Sequence, residues 1–319
     1  MSNYAELHCL SCFSFLRGAS HPHELVARGA ALGYTALAIT DECSLAGIVK
    51  AHVAAKEHGI KLLVGSEFNL VEGIRLVALA PSRAAYSELS GLISMARRRS
   101  PKGEYKASLR DVIFHLKRCL LIWLPQDDDE ASRAWGLQLG RLCRDRVWLG
   151  VAHLLGNDEV RRYHALYRLA SELRIPMVAC GNVQMHRASR KPLHDVFTAL
   201  RHNTSIDQLG RKRLANSQQH LRSPARLQHL YPPALLEQTL HIAGLCNFSL
   251  DELRYEYPEE VVPEGCTARG YLRELVVRGS AVRWPRGVPP EIQQRIDHEL
   301  ALIEELDYEY YFLTVYDIV

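Results

Sequence analysis

Alternation between short apolar runs and amphipathic stretches in the first 200 residues restricts the fold more than any other feature of this chain. The apolar runs predict strands, and they lie at 4–10, 35–40, 61–70, 74–80, 119–125, 146–152 and 176–180. The amphipathic stretches predict helices, and they lie at 25–34, 45–59, 86–99, 130–144 and 158–174. Because near-continuous apolar strands are buried on both faces, we expect parallel strands covered by helices. About seven such strands favour a closed α/β barrel over an open sheet.

The strand pattern stops near residue 187, and only helical patterns follow. They lie at 191–201, 233–246, 269–284 and 291–306. The Pro- and Glu-rich stretch 255–265 between them is typical of a linker. The last residues, YFLTVYDIV (311–319), are apolar, so we expect a packed segment there and a chain that continues beyond residue 319.

Composition excludes several classes of protein. Hydrophobic residues make up 47% and charged residues 24% of the 319 residues, which is typical of a globular protein rather than a disordered one. No apolar run reaches the roughly 18 residues of a membrane span, and the N-terminus lacks the pattern of a signal peptide. Most of the eight cysteines lie inside apolar runs, as free thiols of a reducing compartment do, so we expect a cytoplasmic protein.

Charge is distributed unevenly along the chain. Residues 249–319 carry 15 Asp and Glu and 7 Arg, a net charge of −8, whereas residues 1–248 carry a net charge of +11. This asymmetry indicates two units with different surroundings. The basic part is compatible with a polyanionic partner and equally with an Arg-rich solvated surface.

Polar side chains that can bind a metal lie at or just after three predicted strands. They are His8, Asp41, Glu42 and Glu67. Reactive residues of α/β barrels lie at the carboxyl ends of strands, so these four side chains predict a shared site at one mouth of the barrel. Divalent metals bound there could activate a water molecule to attack a phosphoester. Structural roles remain open: a core histidine for His8, a helix N-cap for Asp41, and a solvated or ion-paired carboxylate for Glu67.

A basic cluster follows the helix predicted at 86–99. It comprises Arg97, Arg98, Arg99 and Lys102, with Tyr105 and Lys106 close behind. These side chains could contact nucleic acid, and they could equally form a solvated helix end, where cations favour the helix dipole. The acidic run 127–130 after a predicted strand indicates a helix N-terminus.

Several long motifs resemble one known family. ELHCLSCFSFLRGASHP (6–22), ALAITDECSLAGIVKAH (36–52) and LLVGSEF (62–68) resemble the N-terminal PHP (polymerase and histidinol phosphatase) domain of bacterial C-family DNA polymerases. The segments at 75–99, 176–201 and 250–260 follow in the same order. The residues of these motifs are most similar to those of the error-prone, alpha-type branch of this family, which is ImuC-like.

The resemblance implies an α/β fold: a distorted, TIM-like (β/α)7 PHP barrel followed by helices that open the polymerase palm. The implied domains are a PHP domain at 1–250, a linker at 251–268 and the truncated start of the palm at 269–319. The family's catalytic aspartates lie in the palm beyond these residues, so the fragment should not polymerise DNA. The intact enzyme would use DNA, deoxynucleoside triphosphates and palm Mg²⁺. It would work with the sliding clamp and damage-induced accessory proteins in mutagenesis and translesion synthesis.

The family's metal motifs carry over only in part. His8 matches the first residue of H-x-H, but Leu10 replaces the second histidine. Asp41 matches T-D-H, but Glu42 replaces its histidine. The glutamate after the third strand matches as Glu67.

Three further positions depart from the family pattern. Asn182 and Gln184 replace the D-x-H motif, and Arg17 stands where an aspartate often precedes Gly18. Neutral amides are weak ligands for hard cations and poor ones for zinc. We therefore expect a degenerate, structural PHP site with no metal or one weakly bound divalent ion. The alternative is an active metal-dependent phosphoesterase or 3′–5′ exonuclease.

Overall fold

The computed structural model describes residues 3–253 and 261–319, and the chain divides into two compact units after Leu253. In the described part of the chain, no helix is both long and apolar enough to cross a membrane. The predicted linker at 251–268 lies partly outside the described residues, because 254–260 fall between the two ranges. The assignment of the PHP, linker and palm boundaries stays a prediction.

The first unit alternates strands and helices through most of its length. Its strands are β1 (Ala5–Glu6), β2 (Ala36–Ile39), β3 (Lys61–Asn69), β4 (Arg75–Leu79), β5 (Leu120–Trp123), β6 (Val147–Val151) and β7 (Met177–Ala179). Its helices are α1 (Pro22–Ala31), α2 (Ile48–His58), α3 (Arg83–Arg98), α4 (Leu109–His115), α5 (Glu130–Leu142), α6 (Glu159–Leu173), α7 (Lys191–Arg201), α8 (Pro224–Leu230) and α9 (Pro233–Leu245). These elements confirm the predicted α/β class.

The strands form one curled sheet in sequential order from β1 to β7. The expectation of parallel strands throughout is wrong for β4, which pairs antiparallel with both β3 and β5. Only residues 70–74 join β3 to β4, with Gly73 at a φ of 83°. So short a loop can close a hairpin, whereas a parallel crossover needs about a dozen residues or more.

Segments that continue β1 and β7 join the two edges of the sheet. The Leu10 N–H donates to the Val183 carbonyl at 2.8 Å, and the Val183 N–H donates to the His8 carbonyl at 2.9 Å. A buried carboxylate adds a second link, because Glu6 Oε1 accepts the Gly181 N–H at 2.8 Å. The first and last strands are thereby held together at the mouth.

Alternate residues along the strands belong to two separate buried clusters. Leu37 and Ile39 of β2 pack in the cluster that includes Leu25 of α1. Ala38 of the same strand packs in the other cluster with Val77 of β4. Burial on both faces explains why the strands are near-continuous apolar runs in the sequence.

Helix α9 covers the amino-terminal end of the barrel. Thr239 Oγ1 accepts the Ala5 N–H at 3.3 Å, and Lys61 Nζ donates to the Ala243 carbonyl at 2.8 Å. Ile242 of the same helix is fully buried in the cluster that includes the inner strand residues. The opposite, carboxyl-terminal end is therefore the end at which a site can form.

The second unit is helical as far as it is described. It comprises α10 (Ala268–Arg283), α11 (Pro290–Glu305) and α12 (Glu309–Ile318). Arg269 and Arg273 of α10 pair with Glu304 of α11, the latter pair at 3.5 Å. Leu272 and Leu313 are buried. The helices predicted at 269–284 and 291–306 are confirmed within a residue at each end.

Candidate functional site at the barrel mouth

His8 and Glu67 meet at the mouth of the barrel, as predicted. Both side chains are fully buried, and His8 Nε2 lies 2.7 Å from Glu67 Oε2. Burial lowers the pKa of His8, so the imidazole is neutral. Burial alone would raise the pKa of Glu67, but hydrogen bonding to His8 and the charge of Arg17 hold it well below its ordinary range. The ionised carboxylate therefore accepts the Nε2–H of a neutral histidine.

Arg17 brings a permanent positive charge into the same site. Its Nη1 donates to Glu67 Oε1 at 2.7 Å and also to Glu42 Oε2. The Arg17 side chain is only 15% exposed. Burial opposes its charge, but Glu67 and Glu42 raise the pKa of the guanidinium above its ordinary value. One cation thus bridges two of the predicted metal ligands.

Asp41 lies at the end of β2, but its carboxylate is bound by the loop after β1. Asp41 Oδ1 accepts the Ser11 N–H and the Ser14 hydroxyl, both at 2.7 Å, and Oδ2 accepts the Ser11 hydroxyl at 2.7 Å. Burial raises the pKa of Asp41, and these donors oppose the rise. Asp41 is not a helix N-cap, because α2 begins only at Ile48 with Gly47 before it.

Glu42 has protein partners on both carboxylate oxygens. Oε1 accepts the Tyr105 hydroxyl at 2.9 Å and the Asn69 Nδ2–H at 2.7 Å, while Oε2 accepts Arg17. We call His8, Arg17, Asp41, Glu42 and Glu67 the mouth network. Every carboxylate in it already accepts hydrogen bonds from the protein.

Three of the altered ligand positions contribute no charge. Leu10 is fully buried. Asn182 is 7% exposed and has a φ of 46°. Gln184 Oε1 lies 2.6 Å from His194 Nε2 in α7, so a histidine reaches this position from a different element. Burial lowers the pKa of His194 to about 4, which keeps that imidazole neutral.

Three buried acceptors at or beside the mouth have no hydrogen-bond partner among the described residues. They are His8 Nδ1, Asn182 Oδ1 and the Oε1 of Gln219, whose Nε2 donates to the Asn182 backbone carbonyl at 3.1 Å. Since His8 Nε2 carries the proton, Nδ1 presents a bare lone pair. Across residues 3–253 and 261–319, no group of three or more His, Cys, Asp or Glu side chains is arranged to hold a metal ion.

The basic cluster near residue 100 is partly engaged within the protein. Arg97 donates to the carbonyls of Cys43 at 3.2 Å and Glu42 at 3.2 Å, and its guanidinium lies 5.3 Å from the Tyr105 ring centroid. Arg99 pairs with Asp111 at 3.1 Å.

Two other members of that cluster have no such contacts. Arg98 and Lys102 make no hydrogen bond or ion pair with the described residues, so they are the members available for nucleic acid. Their role in DNA contact stays a prediction.

Sequence reasoning did not single out Ser11, Ser14, Asn69 or His194. Asn69 and His194 reach the mouth from β3 and α7, and neither belongs to a metal motif of the family. The departures from the family pattern at Arg17, Glu42 and Asn182 were the available signals of a changed electrostatic site.

Two family models match separate parts of the chain. The PHP domain matches residues 6–123, and the Bacterial DNA polymerase III alpha NTPase domain matches residues 270–319. An error-prone DNA polymerase of Saccharophagus degradans is 54% identical over 316 residues, 99% of this chain. The chain matches an N-terminal fragment of the error-prone DNA polymerases. Error-prone polymerases of Teredinibacter turnerae and Dechloromonas aromatica are 53% and 50% identical over 99% and 100% of it.

The match covers only part of the relatives. The chain spans 31%, 30% and 31% of the lengths of these three polymerases. Among solved structures, an amidohydrolase of Chromobacterium violaceum shares 16% identity with a TM-score of 0.45, over 57% of this chain and 88% of its own. That likeness is too distant to bear on function.

Proposed function

We propose that the intact protein is a DNA-directed DNA polymerase that acts in damage-induced mutagenesis and translesion synthesis. The error-prone polymerases that match almost this whole chain support the proposal, as does the polymerase model matched at 270–319. By family resemblance, Mg²⁺ and the catalytic aspartates of nucleotide transfer belong to the palm, outside the residues of this chain. DNA, the sliding clamp, damage-induced accessory proteins and a cytoplasmic location are part of the same proposal.

Within that enzyme, the PHP barrel has a structural role and its metal site is degenerate. The contact between Arg17 Nη1 and Glu67 Oε1 at 2.7 Å is the observation that carries this proposal. A guanidinium at that distance competes with a divalent ion for the same oxygen, and its charge repels the ion. Two-metal hydrolysis needs ions about 3.5–4 Å apart, each with several protein ligands. The residues present do not fit such a cluster.

The second candidate function is a metal-dependent phosphoesterase or 3′–5′ exonuclease. The unpartnered lone pair of His8 Nδ1 and the carbonyl of Asn182 favour it, since both are buried acceptors without a partner among the described residues. These two atoms could hold a single weakly bound ion. One ion with two neutral ligands is a poor activator of water compared with a multinuclear site.

Two assays test the two parts of the proposal. The intact protein should extend a primer past a template lesion with Mg²⁺ and deoxynucleoside triphosphates. The 319-residue chain should not hydrolyse single-stranded DNA or a generic phosphoester above background with Mn²⁺ or Zn²⁺. Hydrolysis that disappears in both Asp41→Ala and Glu67→Ala would overturn the structural role of the barrel. Absence of primer extension would overturn the polymerase proposal alone.

A further inference from the structure

A groove of about 760 Å³ lies between α1, α2 and the segment 186–190, and it shares no lining residue with the mouth network. Ala27 and Ala31 of α1 and Ala54 of α2 line it, so small side chains leave space between two packed helices. Three arginines and three histidines line the same groove. They are Arg28, Arg187, Arg190, His23, His58 and His186.

Two of the arginines keep hydrogen-bond donors free. The Nε of Arg28 is buried and has no hydrogen-bond partner among the described residues. Arg187 is exposed, and no acceptor in the described part of the chain contacts its side chain. A buried guanidinium N–H without an acceptor is costly, so its presence calls for an acceptor that the protein itself does not supply.

His186 is held in place by Ser20. The Ser20 hydroxyl oxygen accepts the His186 backbone N–H at 2.9 Å, and it lies 2.8 Å from His186 Nδ1. Glu24 Oε2 lies 4.0 Å from the same Nδ1. Burial lowers the pKa of His186, Glu24 opposes this, and Arg190, Arg187 and Arg28 lower it further. That effect of the arginines indicates a positive potential in the groove.

Acceptors in the groove are fewer than donors. Glu24 is already bound by Arg190 and by the His21 N–H at 2.8 Å, and Glu57 is the other lining carboxylate. No Phe, Tyr or Trp is among the residues that line it. The groove therefore suits an acceptor-rich anion and offers no surface for stacking a base.

We propose that this groove, which His186 also lines, binds phosphate groups of the DNA backbone through Arg28 and Arg187. The choice of DNA as the source of the phosphate rests on the proposed polymerase function and on the net charge of +11 of residues 1–248. Contacts to phosphate without contacts to bases give binding that depends on salt and not on sequence.

The test measures the affinity of the 319-residue chain for a labelled single-stranded DNA by fluorescence anisotropy at several salt concentrations. Arg28→Gln with Arg187→Gln should weaken binding at least tenfold at low salt. The slope of log K against log salt should fall by about 1.4, since each lost contact to a single strand is worth about 0.7. Arg141→Gln with Arg144→Gln removes the same charge from exposed positions elsewhere and should leave the slope unchanged.

Two further variants distinguish a lost DNA contact from a folding defect. Arg187→Gln alone changes only an exposed side chain and should still lower the slope by about 0.7. Arg28→Lys should retain most of the binding. Equal DNA affinities of the Arg28→Gln, Arg187→Gln variant and the Arg141→Gln, Arg144→Gln control would overturn the proposal. A chain that binds inorganic phosphate or nucleotides but does not bind DNA would overturn it too.

Primer extension by the intact protein separates this proposal from the function on which it rests. Extension together with unaltered DNA affinity in the groove variants would refute the groove site alone. A salt slope lowered by the groove variants, without any extension, would refute the polymerase function and leave the DNA site supported.

Discussion

At the scale of single residues, Arg17 joins two carboxylates of the mouth network. Its guanidinium joins Glu67, which also binds His8, to Glu42, which also binds Tyr105 and Asn69. A side chain that joins two carboxylates inside a protein is hard to replace. Its removal leaves buried negative charge without a partner.

We expect Arg17→Ala to lower the free energy of unfolding by about 3 kcal/mol, because Glu67 would keep a buried charge with less compensation. Urea denaturation of the 319-residue chain measures this. Arg99→Ala removes a half-exposed partner of Asp111 and should cost less than about 1 kcal/mol. Equal losses in the two variants would contradict the central place of Arg17.

Restoring the family ligands should reveal whether Arg17 excludes metal. The restored variant combines Leu10→His, Glu42→His, Asn182→Asp and Gln184→His. We expect it to bind Mn²⁺ or Zn²⁺ weakly while Arg17 remains, and at least about tenfold more tightly when Arg17→Asp is added. Calorimetric titration measures both affinities. No gain on adding Arg17→Asp would mean that the pocket geometry, and not this cation, limits metal binding.

His194 should make the stability depend on pH. Burial lowers its pKa in the folded protein to about 4, below the roughly 6.5 of an unfolded chain. The unfolded state therefore binds more protons between these values. This contribution is complete above about pH 6.5 and is lost as the pH falls towards 4, with a slope of at most about 1.4 kcal/mol per pH unit.

Unfolding by urea across this pH range tests the role of His194. His194→Gln keeps an N–H donor for Gln184 and should flatten the profile. His115→Gln alters an exposed histidine and should leave the profile as it is. A wild-type slope in His194→Gln would show that other groups produce the acid sensitivity.

At the scale of elements, the loop after β1 determines which donors contact the carboxylates of the site. It holds Ser11, Ser14 and Arg17 against the ends of β2 and β3. Gly18 allows this loop to pass close to its own start, because a Cβ there would lie 2.0 Å from the Ser11 carbonyl oxygen.

We expect Gly18→Ala to cost about 2 kcal/mol or more of unfolding free energy, since backbone would have to move. Gly91→Ala is the matched control. Gly91 lies inside α3, and among the described residues no heavy atom beyond its chain neighbours and its own helix backbone lies within 4 Å of the position of its Cβ, so alanine should stabilise the helix by about 0.5–1 kcal/mol. Thermal melts of both variants provide the comparison. A neutral Gly18→Ala would mean that the loop tolerates displacement.

The elements themselves were largely predictable from the sequence, and the errors have physical causes. Long apolar or amphipathic segments such as β3 and α6 agree with their predicted ranges within a few residues. The short helices α4 and α8 carry too few turns to show a clear period. The direction of β4 depends on the length of its connection rather than on its own residues.

At the scale of the whole molecule, the two units differ in how much of their surface they bury. Strands β2 and β5 are buried at every residue, whereas α11 has no buried residue and α10 and α12 each have one. Local opening is easier where few apolar contacts must be broken.

We expect amides of α11 and α12 to exchange with deuterium at least about tenfold faster than those of β2 and β5, because less burial opposes their opening. Mass spectrometry of the 319-residue chain at two protein concentrations measures both regions in each sample. Protection of α12 that rises with protein concentration would indicate that a second copy covers its exposed apolar side chains, such as Tyr316. Equal protection of the two regions would contradict the prediction.

Local patterns in the sequence determined the α/β class, most element positions and the places where strand ends could carry a site. Such patterns depend on residues a few positions apart, so they can be recognised without knowledge of the fold. The chemistry of the mouth was decided by contacts between distant residues: Arg17 with Glu67, Ser11 with Asp41, and Gln184 with His194. Which donor reaches which carboxylate depends on how loops from different strands meet, and this is settled only when the barrel closes.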